Sequence, residues 1–144
     1  MLVRDLMSED VVTAPLSATV QEAARQLLEH DVGSVIVVND DGGPVGILTE
    51  SDVIRAGYSS ERPFSEIDVA DVGHKPVITT KPTASISLVA DKMADNDVKK
   101  APVMDDLDLV GIITLSDIVW HLSDIRKEAS ELERASEKWS PNDR

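Results

Sequence analysis

Two segments of the chain combine a threonine and an aspartate in a pattern that could bind a polar ligand. Thr49 and Asp52 follow an apolar run at residues 45–48, and Thr114 and Asp117 follow a similar run. The free N–H groups at a helix start and a threonine hydroxyl suit a phosphate or ribose oxygen, and a carboxylate accepts strong hydrogen bonds. The same Thr-x-x-Asp spacing is also an ordinary capping box, which stabilises a helix by about 0.5–2 kcal/mol. Taken alone the spacing favours capping, and one residue can perform both roles.

The composition argues against several other kinds of chemistry. The chain has no cysteine, which excludes disulfides, thiolate catalysis and cysteine-ligated zinc. Its three histidines, His30, His74 and His121, lack the spacing of a metal site. No Ser/His/Asp order, P-loop or glycine-rich dinucleotide turn is present. We therefore expect no metal site and no enzyme activity.

The charge balance bears on partners and on location. Acidic residues outnumber basic ones 27 to 14, and the net charge of −13 repels phosphate backbones, so nucleic-acid binding is not expected. Such a surface also favours solubility in strong salt, which suggests a halophilic archaeal source; an acidic mesophilic protein is the alternative. The longest apolar run, at residues 35–38, is far shorter than the roughly 20 residues that cross a bilayer. We expect a cytoplasmic protein that does not enter a membrane.

An internal repeat organises the elements that must position these residues. Val3-x-Asp5 recurs as Val69-x-Asp71, residues 11–13 as residues 77–79, and Asp31-Val32 as Asp97-Val98. After one deletion in a turn, residues 45–52 recur as residues 110–117. So many matches in order indicate a tandem duplication.

Each copy is predicted to fold as a β-α-β-β-α unit. A β run at residues 11–13 or 77–79 precedes a proline turn, and an amphipathic helix follows, with Thr19 and Glu22 as a capping box in the first copy. The next strand, at residues 35–38, turns through residues 39–44 into a third strand. A second helix begins at Thr49 to Asp52. One unit is too small to bury both faces of its sheet, whereas two packed together can do so.

The chain divides into five predicted segments. The first repeat spans residues 3–57, a polar linker residues 58–68, and the second repeat residues 69–122. From Ile118 the chain is predicted to continue as one long amphipathic helix over residues 118–139, followed by a frayed tail at 140–144. The spacing from Ile118 to Trp139 forms a coiled-coil-like seam, which requires a partner surface.

The duplicated unit, ending each time in G-h-h-[ST]-x-x-D, resembles the cystathionine-β-synthase (CBS) domain pair, or Bateman module. Residues 46–52, 111–117 and 98–105 carry the resemblance, which covers nearly the whole chain. It implies an α/β (α+β) fold of two repeats related by pseudo-twofold symmetry, plus a long C-terminal helix. It also implies two clefts for adenosine-containing ligands: AMP, ADP, ATP or sometimes S-adenosylmethionine. In the family the motif aspartate holds the ribose hydroxyls, the adenine lies between strands, and basic residues of the other repeat receive phosphate.

The resemblance assigns residues to each cleft, because each combines the motif of one repeat with the first two strands of the other. The first cleft is expected to contain Thr49, Asp52, Val77, Ile78, Thr79, Lys99 and Lys100, with His74 and Lys75 near its rim. The second is expected to contain Thr114, Asp117, Val11, Val12, Thr13, Gly33 and Ser34, with Glu9 and Asp10 nearby. Only the first offers cations, so anionic nucleotides should choose it; a solvated surface pair is the alternative for the two lysines. Ser51 stands where many relatives have a basic residue, which removes one phosphate contact.

The expected function is that of a stand-alone regulatory sensor which binds an adenosine-containing small molecule and requires no cofactor. The alternative is a structural dimerisation scaffold with vestigial clefts. Catalysis is disfavoured because acid/base chemistry needs both carboxylates within reach of one substrate, and the symmetry separates them. We expect a homodimer and a regulated partner protein that the sequence does not identify.

Overall fold

The computed structural model describes residues 1–73 and 77–138 and shows a mixed α+β fold built from two similar halves. The helices are α1 (Val3–Leu6), α2 (Val20–His30), α3 (Glu50–Ser60), α4 (Ile86–Asp95), α5 (Leu115–Trp120) and α6 (Leu122–Lys138). The strands are β1 (Thr13–Pro15), β2 (Ser34–Val38), β3 (Pro44–Thr49), β4 (Lys100–Asp105) and β5 (Asp108–Thr114). Short 3₁₀ helices occur at Phe64–Glu66 and Val69–Asp71. The predicted fold class is confirmed.

The first half contains a three-stranded sheet in the order β1-β2-β3. Strand β1 runs parallel to β2, and the turn after Asn39 brings β3 back antiparallel to β2. The Asn39 side chain accepts hydrogen bonds from the N–H groups of Asp41 and Gly43, which closes that turn locally. The sheet side chains pack against one face of α2, where Val20, Ala23 and Leu27 are buried.

The first strand of the second half is shorter than predicted. The prediction placed a β run at residues 77–79, whereas the described chain forms only an isolated parallel bridge between Thr80 and Val103. In the first half the Val12 carbonyl accepts a hydrogen bond from Ile36 N–H at 2.9 Å. The equivalent of Ile36 is Pro102, which has no N–H to donate, so the corresponding bond cannot form.

The two halves exchange their leading segments. Val3 and Leu6 of α1 are buried in the second core, together with Val89, Val103 and Ile113. Val69 is buried in the first core. The segment that follows α1 also forms an antiparallel bridge with β5, since Ser8 and Ile112 exchange two backbone hydrogen bonds of 2.9 Å. The two halves are therefore linked by main-chain hydrogen bonds as well as by buried apolar side chains.

The segment predicted as a polar linker is largely ordered against the first half. Helix α3 extends to Ser60, and Ile67 is buried in the first core. The Phe64 side chain packs against that core from the outside. The connection between the repeats therefore contributes to the fold of the first one.

The C-terminal region is two helices, so the prediction of one continuous helix from Ile118 is wrong. The break lies at His121, whose φ of −97° and ψ of 15° depart from helical values. The His121 ring Nδ1 lies 2.9 Å from the Asp117 carbonyl oxygen, and its own carbonyl accepts the N–H groups of Asp124 and Ile125 at the start of α6. The His121 backbone N–H still donates to the same Asp117 carbonyl oxygen at 3.2 Å, so the departure from helical geometry follows that bond. Trp139 and residues 140–144 lie outside the described part of the chain.

The predicted seam of α6 is only partly covered. Ile125 packs against the second core, whereas Leu132 is 72 % exposed. Within residues 1–73 and 77–138, no helix is long and apolar enough to cross a membrane.

Candidate functional site

The two Thr-x-x-Asp motifs begin helices α3 and α5, and both form complete capping boxes. Asp52 Oδ2 accepts hydrogen bonds from Thr49 N–H at 2.8 Å and from Thr49 Oγ1 at 2.9 Å. Asp117 Oδ2 accepts one from Thr114 N–H at 2.9 Å, and Thr114 Oγ1 accepts one from Asp117 N–H at 3.1 Å. The capping role is therefore real in both repeats, and any ligand role is added to it.

Asp52 is almost fully enclosed. The residue is only 6 % exposed, and its Oδ1 lies 3.6 Å from Arg55 Nη1. The guanidinium of Arg55 is itself largely in solvent. An exposed cation of this kind contributes little to stability because water screens it.

The first cleft is a cavity of about 440 Å³ between the repeats. The residues that line it come from the end of β3, from the segment before Thr80, and from the approach to β4: Ile47, Thr49, Val77, Ile78, Asp97, Val98, Lys99 and Lys100. Half of these side chains are aliphatic, which suits the flat face of an apolar ring. The two lysines supply positive charge at one end.

The second cleft is smaller, about 170 Å³. The described lining residues that the sequence predicted are Val11, Val12, Gly33, Ser34, Thr114 and Asp117. Lys100 also lines this cleft, with Nζ 3.6 Å from the point where a Cβ on Gly33 would lie. The expectation that the second cleft holds no cation is therefore wrong: a long side chain at the start of β4 reaches across the boundary between the repeats.

The two lysines have different environments. Lys99 is exposed, in line with the alternative of a solvated surface residue, whereas Lys100 is half-buried. Burial lowers the pKa of Lys100, and the nearby carboxylates of Glu50, Asp117 and Asp52 partly oppose that shift. Removal of a cation from water disfavours its charged form, and adjacent carboxylates favour it. Lys100 is therefore the cation held inside the site.

Three predicted residues lie beside the cavities instead of lining them. Asp52 lies beneath Thr49 in the capping box, and the carbonyl of Thr79 accepts a hydrogen bond from Lys92 Nζ at 3.2 Å. Thr13 lines an adjoining, more polar hollow of about 660 Å³, which shares Val11 and Val12 with the second cleft and also includes Gln26 and His30. His74 and Lys75, predicted at the rim of the first cleft, lie outside the described residues.

Sequence reasoning missed several lining residues, and the repeat contains the signal for most of them. Val98 in the first cleft is the repeat equivalent of Val32 in the second, and Ile47 is that of Ile112. The other missed residues are Asp97 in the first cleft and Ser8 and Ile36 in the second. No sequence signal identifies Ser8, because the segment after α1 that contains it pairs with β5 of the other repeat. This segment lies very close to β5: a Cβ on Gly111 would lie 2.8 Å from the Ser8 carbonyl oxygen.

No metal centre accompanies the clefts in the part of the chain that the structure covers. Within residues 1–73 and 77–138, no group of three or more His, Asp or Glu side chains is placed to hold a metal ion. Carboxylates, hydroxyls, lysines and aliphatic walls are therefore the chemistry that these clefts offer.

Solved structures of similar fold include proteins with known ligands or assemblies. A CBS domain pair in complex with 5′-methylthioadenosine and S-adenosyl-L-methionine is 28 % identical with a TM-score of 0.74, over 86 % of this chain and 97 % of that one. A hexameric CBS-CP12 protein from bloom-forming cyanobacteria is 27 % identical with a TM-score of 0.75, over 94 % of this chain and 85 % of that one. Hypoxic response protein 1 of Mycobacterium tuberculosis is 29 % identical in sequence, over 83 % of each chain.

Several relatives are longer than this chain. It spans 60 %, 41 % and 33 % of the length of three uncharacterised proteins from Methanopyrus kandleri and Methanocaldococcus jannaschii, at 32 %, 35 % and 27 % identity. It spans 22 % of an L-aspartate semialdehyde sulfurtransferase of the latter organism. The sequence model of the CBS domain matches residues 3–59 and again residues 69–124. The chain therefore belongs to the CBS domain family and carries two copies of that domain in tandem.

Proposed function

We propose that this chain is a regulatory module that binds an adenosine-containing ligand of the AMP, ADP or ATP class between its two CBS domains. The observation that carries the proposal is the cavity of about 440 Å³, which combines an aliphatic slot with lysines and a helix start. A structural neighbour binds 5′-methylthioadenosine and S-adenosylmethionine, which supports the adenosine part of the proposal.

Each part of the cavity matches one part of such a ligand. Val77, Ile78 and Val98 offer apolar surface for the adenine. Thr49 lines the cavity where α3 begins, so the first N–H groups of that helix suit ribose or phosphate oxygens, and Lys99 supplies charge for a phosphate. At partly buried sites one charge pair contributes on the order of kcal/mol. An anionic nucleotide should therefore bind in the first cleft in preference to the second, where Asp10 and Asp117 line the wall.

The second cleft fits an uncharged or cationic member of the same ligand class. Its aspartates would attract the positive sulfonium of S-adenosylmethionine, which makes that molecule the alternative ligand to test there. The motif carboxylates belong to different clefts, so the arrangement favours binding over acid/base catalysis.

Calorimetric titration tests the assignment of the first cleft. AMP, ATP and S-adenosylmethionine are titrated into the wild type, Lys99→Ala and Lys127→Ala, the last on the outer face of α6. Lys99→Ala should weaken ATP binding by about tenfold, in line with the loss of one partly screened charge. Lys127→Ala should bind ATP as the wild type does. Equal ATP affinity in all three proteins would refute the phosphate assignment.

A dimerisation scaffold is the second candidate, favoured by exposed apolar side chains on α3 and α5. Tyr58 is 86 % exposed and Trp120 is 84 % exposed. Aromatic side chains are enriched at protein interfaces, and we propose that these two pair in a homodimer. Absorbance near 260 nm released on denaturation of the purified protein separates a nucleotide sensor from an empty scaffold. A regulatory signal would be transmitted through a change in the geometry of the dimer or through a partner protein.

A further inference from the structure

Lys100 occupies a position that no other described residue shares: it lines both the first and the second cleft. It is the first residue of β4 and pairs with Thr114, the threonine of the second motif. Its ammonium lies beside Gly33, 3.6 Å from the point where a Cβ on that residue would lie. One flexible cation therefore lies on the wall that separates the two cavities.

The carboxylates that act on Lys100 belong to both clefts. Asp52 is part of the motif of the first cleft, and Asp117 is part of the motif of the second. Glu50, the first residue of α3, is the third nearby carboxylate. The ammonium thus interacts with the charges of both motifs at once.

The first repeat contains no second copy of this lysine. The equivalent of Lys100 is Ser34, which begins β2 and pairs with Thr49 in the same register. Among the described residues that line the second cleft, Lys100 is the only cation, and Asp10 and Asp117 face the same space. Among the described lining residues, the second cleft therefore has no cation besides the ammonium that it shares with the first, whereas the first also has Lys99.

We propose that Lys100 couples the two clefts negatively, so that an anionic ligand which engages its ammonium in one cleft weakens anionic-ligand binding in the other. The inference rests on the proposed function, since it requires nucleotide binding at both sites. An ammonium that contacts a phosphate in the first cleft leaves the second with its aspartates unopposed. Engagement in the second cleft leaves the first with Lys99 alone. An uncharged nucleoside does not require the ammonium and should fill the two clefts independently.

Site-resolved NMR titration measures this coupling directly. The backbone amide of Ile78 reports on the first cleft and that of Val12 on the second, and both are followed while AMP or adenosine is added. Global fits of the two isotherms give the factor by which occupancy of one cleft changes the dissociation constant of the other. The proteins compared are the wild type, Lys100→Met, Lys100→Gln as a second uncharged variant, and Lys99→Met as a control for loss of charge in the first cleft alone.

In the wild type, occupancy of one cleft by AMP should weaken AMP binding in the other by about 5–20-fold, within the range usual for coupled sites. Adenosine should show a factor near one. The factor for AMP should fall to about one in both Lys100 variants, yet persist in Lys99→Met even though that variant binds AMP more weakly. Independent filling by AMP in the wild type, or coupling that survives in the Lys100 variants, overturns the proposal and leaves nucleotide binding intact. If neither reporter shifts with AMP or adenosine, the proposed function itself fails, and this inference fails with it.

Discussion

Replacement of Thr80 by valine should make the protein more stable. Thr80 is 3 % exposed, and its Oγ1 has no hydrogen-bond partner in the described structure. The equivalent position in the first repeat is Ala14, which bridges to Val37 as Thr80 bridges to Val103. Nothing in the shared fold therefore requires a hydroxyl there.

The size of the effect follows from the cost of the unpaired hydroxyl. A buried hydroxyl without a partner costs about 1–3 kcal/mol in proteins. Valine has nearly the same shape, adds a buried methyl group and favours the extended backbone of the bridge. We expect Thr80→Val to raise the free energy of unfolding by about 1–2 kcal/mol, and for a domain of this size each kcal/mol raises Tm by about 3–5 °C.

Urea unfolding at fixed protein concentration, followed by circular dichroism, provides the assay, with Thr83→Val on the nearby surface as the control. The midpoint for Thr80→Val should rise at an unchanged m-value, and the control should stay within about 0.5 kcal/mol of the wild type. AMP affinity should not change, because Thr80 lines neither cleft. A loss of stability in Thr80→Val would refute the reasoning.

Two further substitutions test the packing and the charge of the molecule. A Cβ on Gly57 would lie 2.7 Å from Cε1 of Phe64, so Gly57→Ala should lower the free energy of unfolding by about 1–2 kcal/mol despite the better helix propensity of alanine. In a Phe64→Leu background the same change should be neutral or stabilising, and a penalty that persists there would exclude the ring as its cause. For Lys100, burial lowers the pKa of the folded state, so the unfolded chain binds more protons in the window just below pH 10.5, and stability should rise with pH there. Lys100→Met should lack that rise in pH-dependent urea midpoints; identical profiles for the two proteins would contradict the lowered pKa.

The repeat and its motifs could be predicted because they depend on local signals. Apolar periodicity, the turn after Asn39 and the Thr-x-x-Asp spacing each act over a few residues, and the structure confirms α2, the turn and both capping boxes. Family resemblance then related residues distant in sequence, such as Thr49 and Lys99, which line one cavity.

The departures from prediction come from single residues whose effect depends on a neighbour in space. Pro102 matters for the first strand of the second repeat because its missing N–H would face the Ile78 carbonyl. At His121 the backbone leaves helical values and the ring lies 2.9 Å from the Asp117 carbonyl oxygen, although the heptad-like spacing continues through this residue. Neither effect is visible in hydrophobic periodicity, which records which side chains are apolar and not which hydrogen bonds are available.

The placement of Lys100 shows how duplication followed by divergence can change one site through the other. Had Ser34 also become a lysine, the second cleft would hold a cation of its own, as the first holds Lys99, and the repeats could bind anions independently. With one lysine at the shared wall, the charge of each cleft depends on the occupancy of its neighbour. Two sites that compete for one ammonium need no large conformational change to communicate, because the side chain is the element that both ligands bias. The chemical asymmetry of the clefts is therefore a property of the pair, and not of either repeat taken separately.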